Sequence, residues 1–309
     1  MPHLPNDFEV TQMMIDIHTH ITYEHFPEFA KVFLNRRPFT ADVLLHRMDM
    51  EGIDRSVLLP LCSPENMDFY GVTGNTECIE AMRKHPDRFD TFCNIDPRAM
   101  FNTADGKIRD LFKVFKDLGC KGLGEICAGL PVDDERFIRI FQTAGEFKMP
   151  LIFHFQRSDN TSYGAIDDPG LPRLQKALKL CPDTIFLGHS PCFWNEIDGD
   201  MPDEEKHTYP MTPYTKKGLL WEMFEKNPNL YGDCSAGSAH RALSKDPKGY
   251  EFLQKFHKQV CFGTDRFTDI DEPMPPIIGY LKEGLETGKL TKAAYDAITF
   301  ENYLRITAG

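Results

Sequence analysis

The sequence predicts an α/β protein in which eight parallel strands alternate with helices and close into a (β/α)8 barrel. The first observation is length, because 309 residues suit one barrel of roughly 250 residues with some insertions. The second is composition, since 41% hydrophobic and 27% charged residues provide a large core and a polar surface. The third is a regular succession of strand-like and helix-like segments. We therefore expect a single domain spanning residues 1–309.

Eight short runs rich in β-branched and aromatic residues have the length of strands. Several are apolar on consecutive residues, as expected of strands that are covered on both faces. Their starts lie about 30 to 45 residues apart, which is the length of a strand, a helix and two loops in a βαβ unit. The predicted strands are 13–17, 56–61, 91–95, 121–125, 151–155, 184–187, 229–232 and 259–262.

Helical patterns fill the intervals between these strands. The predicted helices are 41–50, 77–84, 108–118, 135–147, 171–180 and 216–226. Gly or Pro stands near several helix ends, where a helix must stop. An open doubly wound sheet is the alternative, but no G-x-G-x-x-G or G-x-x-x-x-G-K-[ST] turn follows a strand to support nucleotide binding. Eight βα units in series therefore favour a TIM barrel.

Charge and cysteine content exclude several classes of function. A formal net charge of -12 disfavours a nucleic-acid partner, which normally requires a basic patch. No stretch reaches the roughly 18 apolar residues of a membrane helix, and residues 1–12 lack the features of a signal peptide. The nine cysteines form no C-x-x-C pair, which argues against a secreted disulfide framework. A cytoplasmic location is the expectation.

The strongest chemical signal is His18-Thr19-His20, which directly follows an apolar strand. Side chains at positions i and i+2 of an extended segment lie on the same face, so both imidazoles can approach one metal ion. Taken alone, the pair is interpreted equally well as two surface residues at a strand end.

Four further side chains of metal-ligand type stand at the ends of other predicted strands. In a barrel, the carboxyl ends of all strands surround one mouth. Imidazole and carboxylate ligands suit zinc, with manganese or iron as alternatives, whereas calcium prefers an all-oxygen shell. The residues predicted to converge on a divalent metal are His18, His20, Glu125, His154, His189 and Asp265.

These segments resemble the amidohydrolase superfamily, in particular its amidohydrolase-2 branch of TIM-barrel metal-dependent hydrolases. The matching features keep the order of the family and span nearly the whole chain. They are Ile15-Asp16-Ile17-His18-Thr19-His20, Phe153-His154, Gly188-His189, Gly263-Thr264-Asp265 and Glu301-Asn302-Tyr303-Leu304-Arg305.

The resemblance implies a set of metal ligands. His18, His20, His154 and Asp265 are ligands or near-ligands by this argument, and His189 is either a ligand or a polarising group. Glu125 bridges two ions, as a carboxylate at this position does in TatD-like deoxyribonucleases, or is a solvated loop acid. The number of ions, one or two, stays open.

The function implied by the resemblance is hydrolysis of a small ester, lactone, amide or related bond by metal-activated water. Asp265 is the predicted general base and acid, and His189 is predicted to stabilise developing negative charge. The alternative is a lyase, a decarboxylase or hydratase acting on an unsaturated or aromatic carboxylic acid, because amidohydrolase-2 relatives of this kind use nearly the same ligands. A binding or regulatory barrel without turnover is the weakest alternative, since Asp265 is retained beside the ligands.

Other residues around the mouth have less specific interpretations. Asp16 either holds an imidazole or is a buried polar residue of the barrel. Connections 156–169 and 190–215 are predicted to wall the mouth. The expected partner is a small molecule, and the oligomeric state is open, with a homodimer as the commonest assembly. Four arginines that follow strands either clamp a substrate carboxylate or phosphate or are ordinary surface residues: Arg98, Arg157, Arg241 and Arg266.

Overall fold

Eight parallel barrel strands run through the part of the chain that the structure, a computed structural model, describes. That part comprises residues 13–23, 37–66, 70–103, 106–158, 163–267 and 273–309. Each barrel strand overlaps one of the predicted strands. They are β1 (Ile15–Thr19), β2 (Arg55–Leu58), β3 (Phe89–Thr91), β4 (Leu123–Ile126), β5 (Leu151–Gln156), β6 (Phe186–His189), β7 (Leu230–Asp233) and β8 (Val260–Cys261).

The strands are joined in chain order around a ring. Parallel ladders connect β1 to β3 and, separately, β4 to β8, and a two-residue strand, Ala165–Ile166, pairs with β5. The two ladders meet at both edges through backbone hydrogen bonds. The Cys93 N–H donates to the Gly122 carbonyl at 2.9 Å, and the Ile17 N–H donates to the Phe262 carbonyl at 3.0 Å. The (β/α)8 prediction is therefore confirmed, and the open doubly wound alternative is wrong.

Helices alternate with the strands, and six of them lie close to the predicted segments. In chain order they are α1 (Ala41–Glu51), α2 (Asn75–Lys84), α3 (Ile108–Asp117), α4 (Glu135–Phe147), α5 (Pro172–Leu180), α6 (Pro191–Trp194), α7 (Leu219–Lys226), α8 (Ala236–Ser244), α9 (Lys248–Lys255), α10 (Pro276–Glu286), α11 (Lys292–Asp296) and α12 (Asn302–Ile306). A π-helical turn, Ala297–Glu301, joins α11 to α12, and short 3-10 turns lie at Asn195–Ile197, Asp203–Glu205 and His257–Gln259. Among the described residues, no helix combines the length and apolar character needed to cross a membrane.

Strand alternation divides the apolar residues between two cores. One core fills the barrel and includes Ile15, Val57, Ile152 and Leu187, which come from four different strands. The other lies between the strands and the surrounding helices, and it contains most of the phenylalanines. Because both faces of each strand are buried, the strands are apolar on consecutive residues, as the sequence indicated.

The amino-terminal end of the barrel, which we call the floor, is closed by α12. The Tyr303 hydroxyl donates to Asp90 Oδ2 at 2.8 Å, and both residues are buried. Arg55 NH1 and Lys121 Nζ each lie 3.0 Å from Asp90 Oδ1. The buried carboxylate at the floor is thus matched by two permanent cations.

Candidate metal centre

The six predicted ligand side chains come together at the opposite end, which we call the mouth. The Nε2 atoms of His18 and His20 are 3.1 Å apart, and each lies 3.4 Å from Asp265 Oδ1. Glu125 Oε2 is 3.7 Å from His18 Nε2 and 3.4 Å from His20 Nε2. These four side chains form a first group of ligand atoms.

A second group lies on the other side of the same two carboxylates. Glu125 Oε1 is 2.9 Å from His154 Nδ1 and 3.8 Å from His189 Nε2. Asp265 Oδ2 is 3.8 Å from His189 Nε2. Glu125 and Asp265 therefore each direct one oxygen to the first group and the other oxygen to the second.

The spacing of these atoms fits a divalent cation. Ligands at bond lengths near 2.1 Å around a tetrahedral ion are about 3.4 Å from one another, and the Nε2 atoms of His18 and His20 lie 3.1 to 3.7 Å from each other and from the carboxylate oxygens of the first group. Three sets of three residues can each hold an ion, because within each set the three ligand atoms, one from each residue, lie within 4.8 Å of one another. Nitrogen and carboxylate oxygen are also the donors that zinc, manganese and iron accept.

Electrostatics explains how so many charged groups are buried together. Burial lowers the pKa of His20, but Asp265 and Glu125 outweigh that effect and raise the pKa to about 9. Burial opposes ionisation of Glu125, yet hydrogen bonds from His154, His18 and His20 hold its pKa well below the usual range. The carboxylates are balanced by protons on imidazoles, and a bound cation can take the place of those protons.

Two glycines let β4 deliver Glu125 to the cluster. A Cβ on Gly122 would stand 2.6 Å from the Phe92 ring, and a Cβ on Gly124 would stand 3.0 Å from the Ile152 Cβ. Gly124 also has a φ of 148°, a conformation that favours glycine. The chain therefore packs closely around Gly122 and Gly124, and Glu125 is buried at the strand end.

Asp265 is fixed by its own backbone and by its neighbours. Its φ is 57°, and its N–H donates to the His18 carbonyl at 2.8 Å. Asp16 accepts hydrogen bonds from the Thr264 N–H at 2.9 Å and from the Thr264 hydroxyl at 2.5 Å. Asp16 also accepts from the His18 N–H at 3.0 Å, so it anchors backbone rather than orienting an imidazole.

Sequence reasoning missed two residues at the end of β7. Asp233 Oδ2 is 2.5 Å from His18 Nδ1 and 3.3 Å from His189 Nδ1. The Ser235 hydroxyl lies 2.9 Å from His189 Nδ1. Both residues are fully buried. The signal that could have found Asp233 is its position, because it ends a barrel strand just as the predicted ligands do.

The four arginines are engaged by the protein. Arg98 forms a forked pair with Glu65, with two contacts of 2.7 Å, and also contacts Asp96 at 2.7 Å. Arg266 donates to Glu51 at 2.6 Å. Arg241 donates to the Tyr209 carbonyl and Arg157 to the Asp203 carbonyl. These contacts favour the structural interpretation over a clamp for a substrate anion.

Three aromatic rings stand against the accessible side of the cluster. The Tyr163 and His154 ring centroids are 4.4 Å apart, and those of Phe267 and His20 are 6.0 Å apart. Tyr70 joins the two, with centroids 5.3 Å from Tyr163 and 6.2 Å from Phe267. We call these three residues the aromatic wall. Of the predicted wall segments, connection 156–169 supplies Tyr163, and its residues 159–162 lie outside the described part.

Access to the cluster is limited to two of its members. The side chains of His154 and Asp265 are 15% and 22% exposed, whereas those of His18 and Glu125 are at most 4% exposed. Since Tyr163 packs on His154, the aromatic wall lies beside one of these two accessible members.

The fold is shared with solved TIM-barrel proteins. An uncharacterised TIM-barrel protein from Bordetella bronchiseptica matches with a TM-score of 0.62 at 17% identity, over 96% of this chain and 98% of that chain. An amidohydrolase from Burkholderia multivorans, solved with bound zinc, matches with a TM-score of 0.63 at 12% identity, over 96% and 99% of the chains.

A third similar structure is a dihydroxybenzoic acid decarboxylase from Polaromonas, solved with bound manganese and the inhibitor 2-nitroresorcinol. It has a TM-score of 0.55 at 16% identity, over 96% of this chain and 97% of that chain. No protein-family model matches the sequence, and no curated protein matches it. At these identities the likeness establishes the fold.

Proposed function

We propose that this chain is a single-domain, metal-dependent hydrolase of the amidohydrolase superfamily, acting on a small ester, lactone, amide or related bond. One observation carries the proposal. The side chains of His18, His20, Glu125, His154, His189 and Asp265 form two groups of ligand atoms at the mouth of a TIM barrel, the end where such barrels place their active sites. The name of one structural neighbour, an amidohydrolase, supports it, whereas the name of another, a decarboxylase, supports the lyase alternative.

The arrangement favours two ions rather than one. Glu125 directs Oε2 toward His18 and His20 and Oε1 toward His154 and His189, so this carboxylate would contact both ions if two were bound. Zinc is our first choice because imidazole and carboxylate are its usual ligands, with manganese and iron as alternatives. When bound, the metal acts as a Lewis acid that polarises the bond under attack and lowers the pKa of water.

Asp265 is the proposed general base and acid. Burial opposes its ionisation, but the charge of His18 and a hydrogen bond with His20 lower its pKa, so the carboxylate is ionised at neutral pH. It is also the most exposed of the cluster carboxylates, at 22%. It can therefore accept the proton of the attacking water and return it to the leaving group. His189 faces both carboxylates through Nε2 and would stabilise negative charge that develops on the substrate.

Product analysis tests the hydrolase proposal. Protein reconstituted with zinc or manganese is assayed against a panel of lactones, esters, amides and carboxylated aromatics. We expect hydrolysis with one oxygen from 18O-labelled water in the acid product, and loss of that activity in Asp265→Asn. Carbon dioxide release without incorporation of the label would replace the hydrolase proposal with the lyase alternative. No turnover in any member of the panel would leave only the binding-protein interpretation.

The lyase alternative is kept because the aromatic wall favours it. Tyr70, Tyr163 and Phe267 offer apolar ring surfaces beside His154, which suit a planar unsaturated or aromatic acid. In a decarboxylation the bond to the carboxyl carbon breaks and carbon dioxide leaves, and the carbon left behind takes a proton that Asp265 could relay from water. Tyr163→Ala should then raise KM for aromatic acids by about 10-fold, since a stacked ring contributes roughly 1 kcal/mol or more. Equal KM values for the wild type and Tyr163→Ala would remove the support that the aromatic wall gives to the lyase alternative.

Glu125→Gln distinguishes the two-ion site from the one-ion site. A neutral amide cannot bridge two cations, so bound metal should fall from about two ions to about one, and turnover should be lost. Glu65→Gln is the matched control, because Glu65 is a carboxylate near the mouth that pairs with Arg98 instead of the cluster. Elemental analysis measures the metal content of both variants. A wild-type count of one ion, unchanged in Glu125→Gln with activity intact, would make Glu125 a solvated acid.

A further inference from the structure

We infer that Asp233 is a positioning residue that orients two metal-binding imidazoles at once, with Ser235 as its helper. The inference rests on the proposed metal site and adds a role for β7, a strand that contributes none of the six proposed ligands. One carboxylate oxygen, Asp233 Oδ2, lies 2.5 Å from His18 Nδ1 and 3.3 Å from His189 Nδ1. The side chain is fully buried.

This contact fixes which nitrogen of each ring can bind metal. An ionised carboxylate only accepts hydrogen bonds, so the ring nitrogen that faces it must carry the hydrogen. With the hydrogen on Nδ1, the Nε2 lone pair is left to face the cluster. His18 Nε2 does so at 3.4 Å from Asp265 Oδ1, and His189 Nε2 at 3.8 Å from Asp265 Oδ2. Asp233 thus sets the tautomer of ligands from β1 and β6.

Ser235 completes the arrangement on the side of His189. Its hydroxyl oxygen lies 2.9 Å from His189 Nδ1 and 3.3 Å from His18 Nδ1. The Ser235 N–H donates to the remaining oxygen of Asp233, Oδ1, at 3.1 Å. Both oxygens of Asp233 therefore have partners, and the carboxylate is held toward the two rings.

The residues around the Asp233 carboxylate are closely packed. A Cβ on Gly263 would stand 2.9 Å from Asp233 Oδ1, 2.9 Å from the Ser235 Cβ and 3.0 Å from the His18 Cβ. On the other side, the Trp194 indole N–H donates to the Asp233 carbonyl at 2.8 Å. Residues that follow three different strands therefore surround Asp233. Their packing keeps its carboxylate at a fixed distance from the two imidazoles.

His20 differs from His18 and His189 in the group that its Nδ1 atom faces. Its Nδ1 faces the Leu59 carbonyl at 2.7 Å, a neutral acceptor that also selects the Nδ1-protonated form. A charged acceptor does more, because it raises the basicity of the ligand nitrogen across the ring. Asp233 supplies that charge to two rings together, so its removal should affect both ligands.

The first test is zinc affinity of the full chain, measured by competition with a chelating dye. Asp233→Asn should weaken zinc binding about 10- to 100-fold, the usual cost of removing such a partner. Asp167→Asn is the matched control, because Asp167 is also a buried carboxylate but accepts from backbone N–H groups at the start of α5. The control should keep wild-type zinc affinity, whatever its effect on Tm.

The second test reads the ring tautomers directly by 15N NMR of histidine in the zinc-loaded protein. The signals of His18 and His189 should report a hydrogen on Nδ1 in wild type and should shift together in Asp233→Asn. Ser235→Ala should perturb His189 more than His18, since its hydroxyl is nearer to His189. This variant also serves as the test if Asp233→Asn fails to fold.

The outcomes separate the inference from the proposed function. Wild-type zinc affinity in Asp233→Asn, or unchanged imidazole signals in both variants, would overturn the positioning role and leave the metal site in place. A wild-type protein that binds neither zinc nor manganese would overturn the proposed metal function and the inference with it.

Discussion

The floor and the mouth of the barrel both bury carboxylates, but they balance the charge in different ways. At the floor, Asp90 meets Arg55, Lys121 and the Tyr303 hydroxyl. Arg and Lys stay protonated at any physiological pH. The negative charge of Asp90 is therefore balanced by side chains of the protein itself.

At the mouth, the balance depends on groups that can exchange their protons. In the ion pairs of the described residues, Glu125, Asp233 and Asp265 meet imidazoles rather than Lys or Arg. An imidazole can release its proton and bind a metal instead. The charge at the floor is therefore balanced within the protein, whereas the charge at the mouth leaves a place for the proposed cation, so substitutions should separate stability from metal binding.

The largest expected effect is on metal content at the mouth. Elemental analysis of the wild-type protein should find zinc, manganese or iron at about one or two ions per chain. The double variant His18→Ala, His20→Ala should lose this metal and its turnover, because the first group of ligand atoms disappears. His46→Ala, at an exposed position of α1, is the control and should retain both. Undiminished metal in the double variant would refute the proposed site.

Asp265→Asn should separate chemistry from metal binding within the mouth. The amide still offers an oxygen to an ion but cannot accept a proton from water. We expect kcat to fall about 100-fold or more, the usual size of a general acid-base contribution, while metal content changes little. Steady-state kinetics and elemental analysis of the same preparation measure the two effects. A variant with near-normal turnover would remove Asp265 from the role of base.

Asp90→Asn should give the opposite result, because it alters the floor alone. The loss of charge-assisted hydrogen bonds should lower the free energy of unfolding by about 1–3 kcal/mol, a range that allows for the partly exposed Arg55 and Lys121. Metal content and kcat should stay at wild-type values. Urea denaturation and elemental analysis test this together, and a loss of metal in Asp90→Asn would end the distinction between the two barrel ends.

The smallest effect is a pH dependence of the metal-free protein. His20 has an ordinary pKa of 6.5, and in the fold Asp265 and Glu125 outweigh burial and raise its pKa to about 9. A pKa raised on folding stabilises the protein below the unfolded value, and that contribution disappears as pH rises through the folded value. The Tm of the metal-free protein should fall from pH 6.5 to 9, and the Tm of the zinc-loaded protein should not follow it. Calorimetry showing parallel curves would contradict this account.

Much of the fold was predictable because strand position and strand-end chemistry follow simple rules. The carboxyl ends of parallel barrel strands meet at one mouth, so Glu125, His154 and Asp265 could be placed together from their positions alone. Strand limits were less accurate. The first strand was expected to end at Ile17, whereas β1 continues to Thr19 and contains His18.

The remaining features depend on distances across the barrel that no local pattern encodes. Asp233 contacts His18, which is 215 residues away in sequence, and no neighbouring histidine marked it as part of the cluster. Arg98 follows a strand as a substrate clamp would, but Glu65 occupies its guanidinium. Asp16 stands beside the histidine pair, where it could have oriented an imidazole. It accepts hydrogen bonds from backbone N–H groups instead, and the strand register is irregular between Asp16 and Thr19.

The anchoring of the last strand end has a consequence for how this barrel could be redesigned. Asp16 holds the residue before Asp265, and Glu51 holds Arg266, the residue after it. The position of Asp265 is therefore fixed by folding, so the proposed base does not need to be ordered again in each turnover. Variation aimed at new substrates would disturb this segment at high cost. Libraries should instead diversify the connection that carries Tyr163, where ring contacts rather than buried charge define the surface.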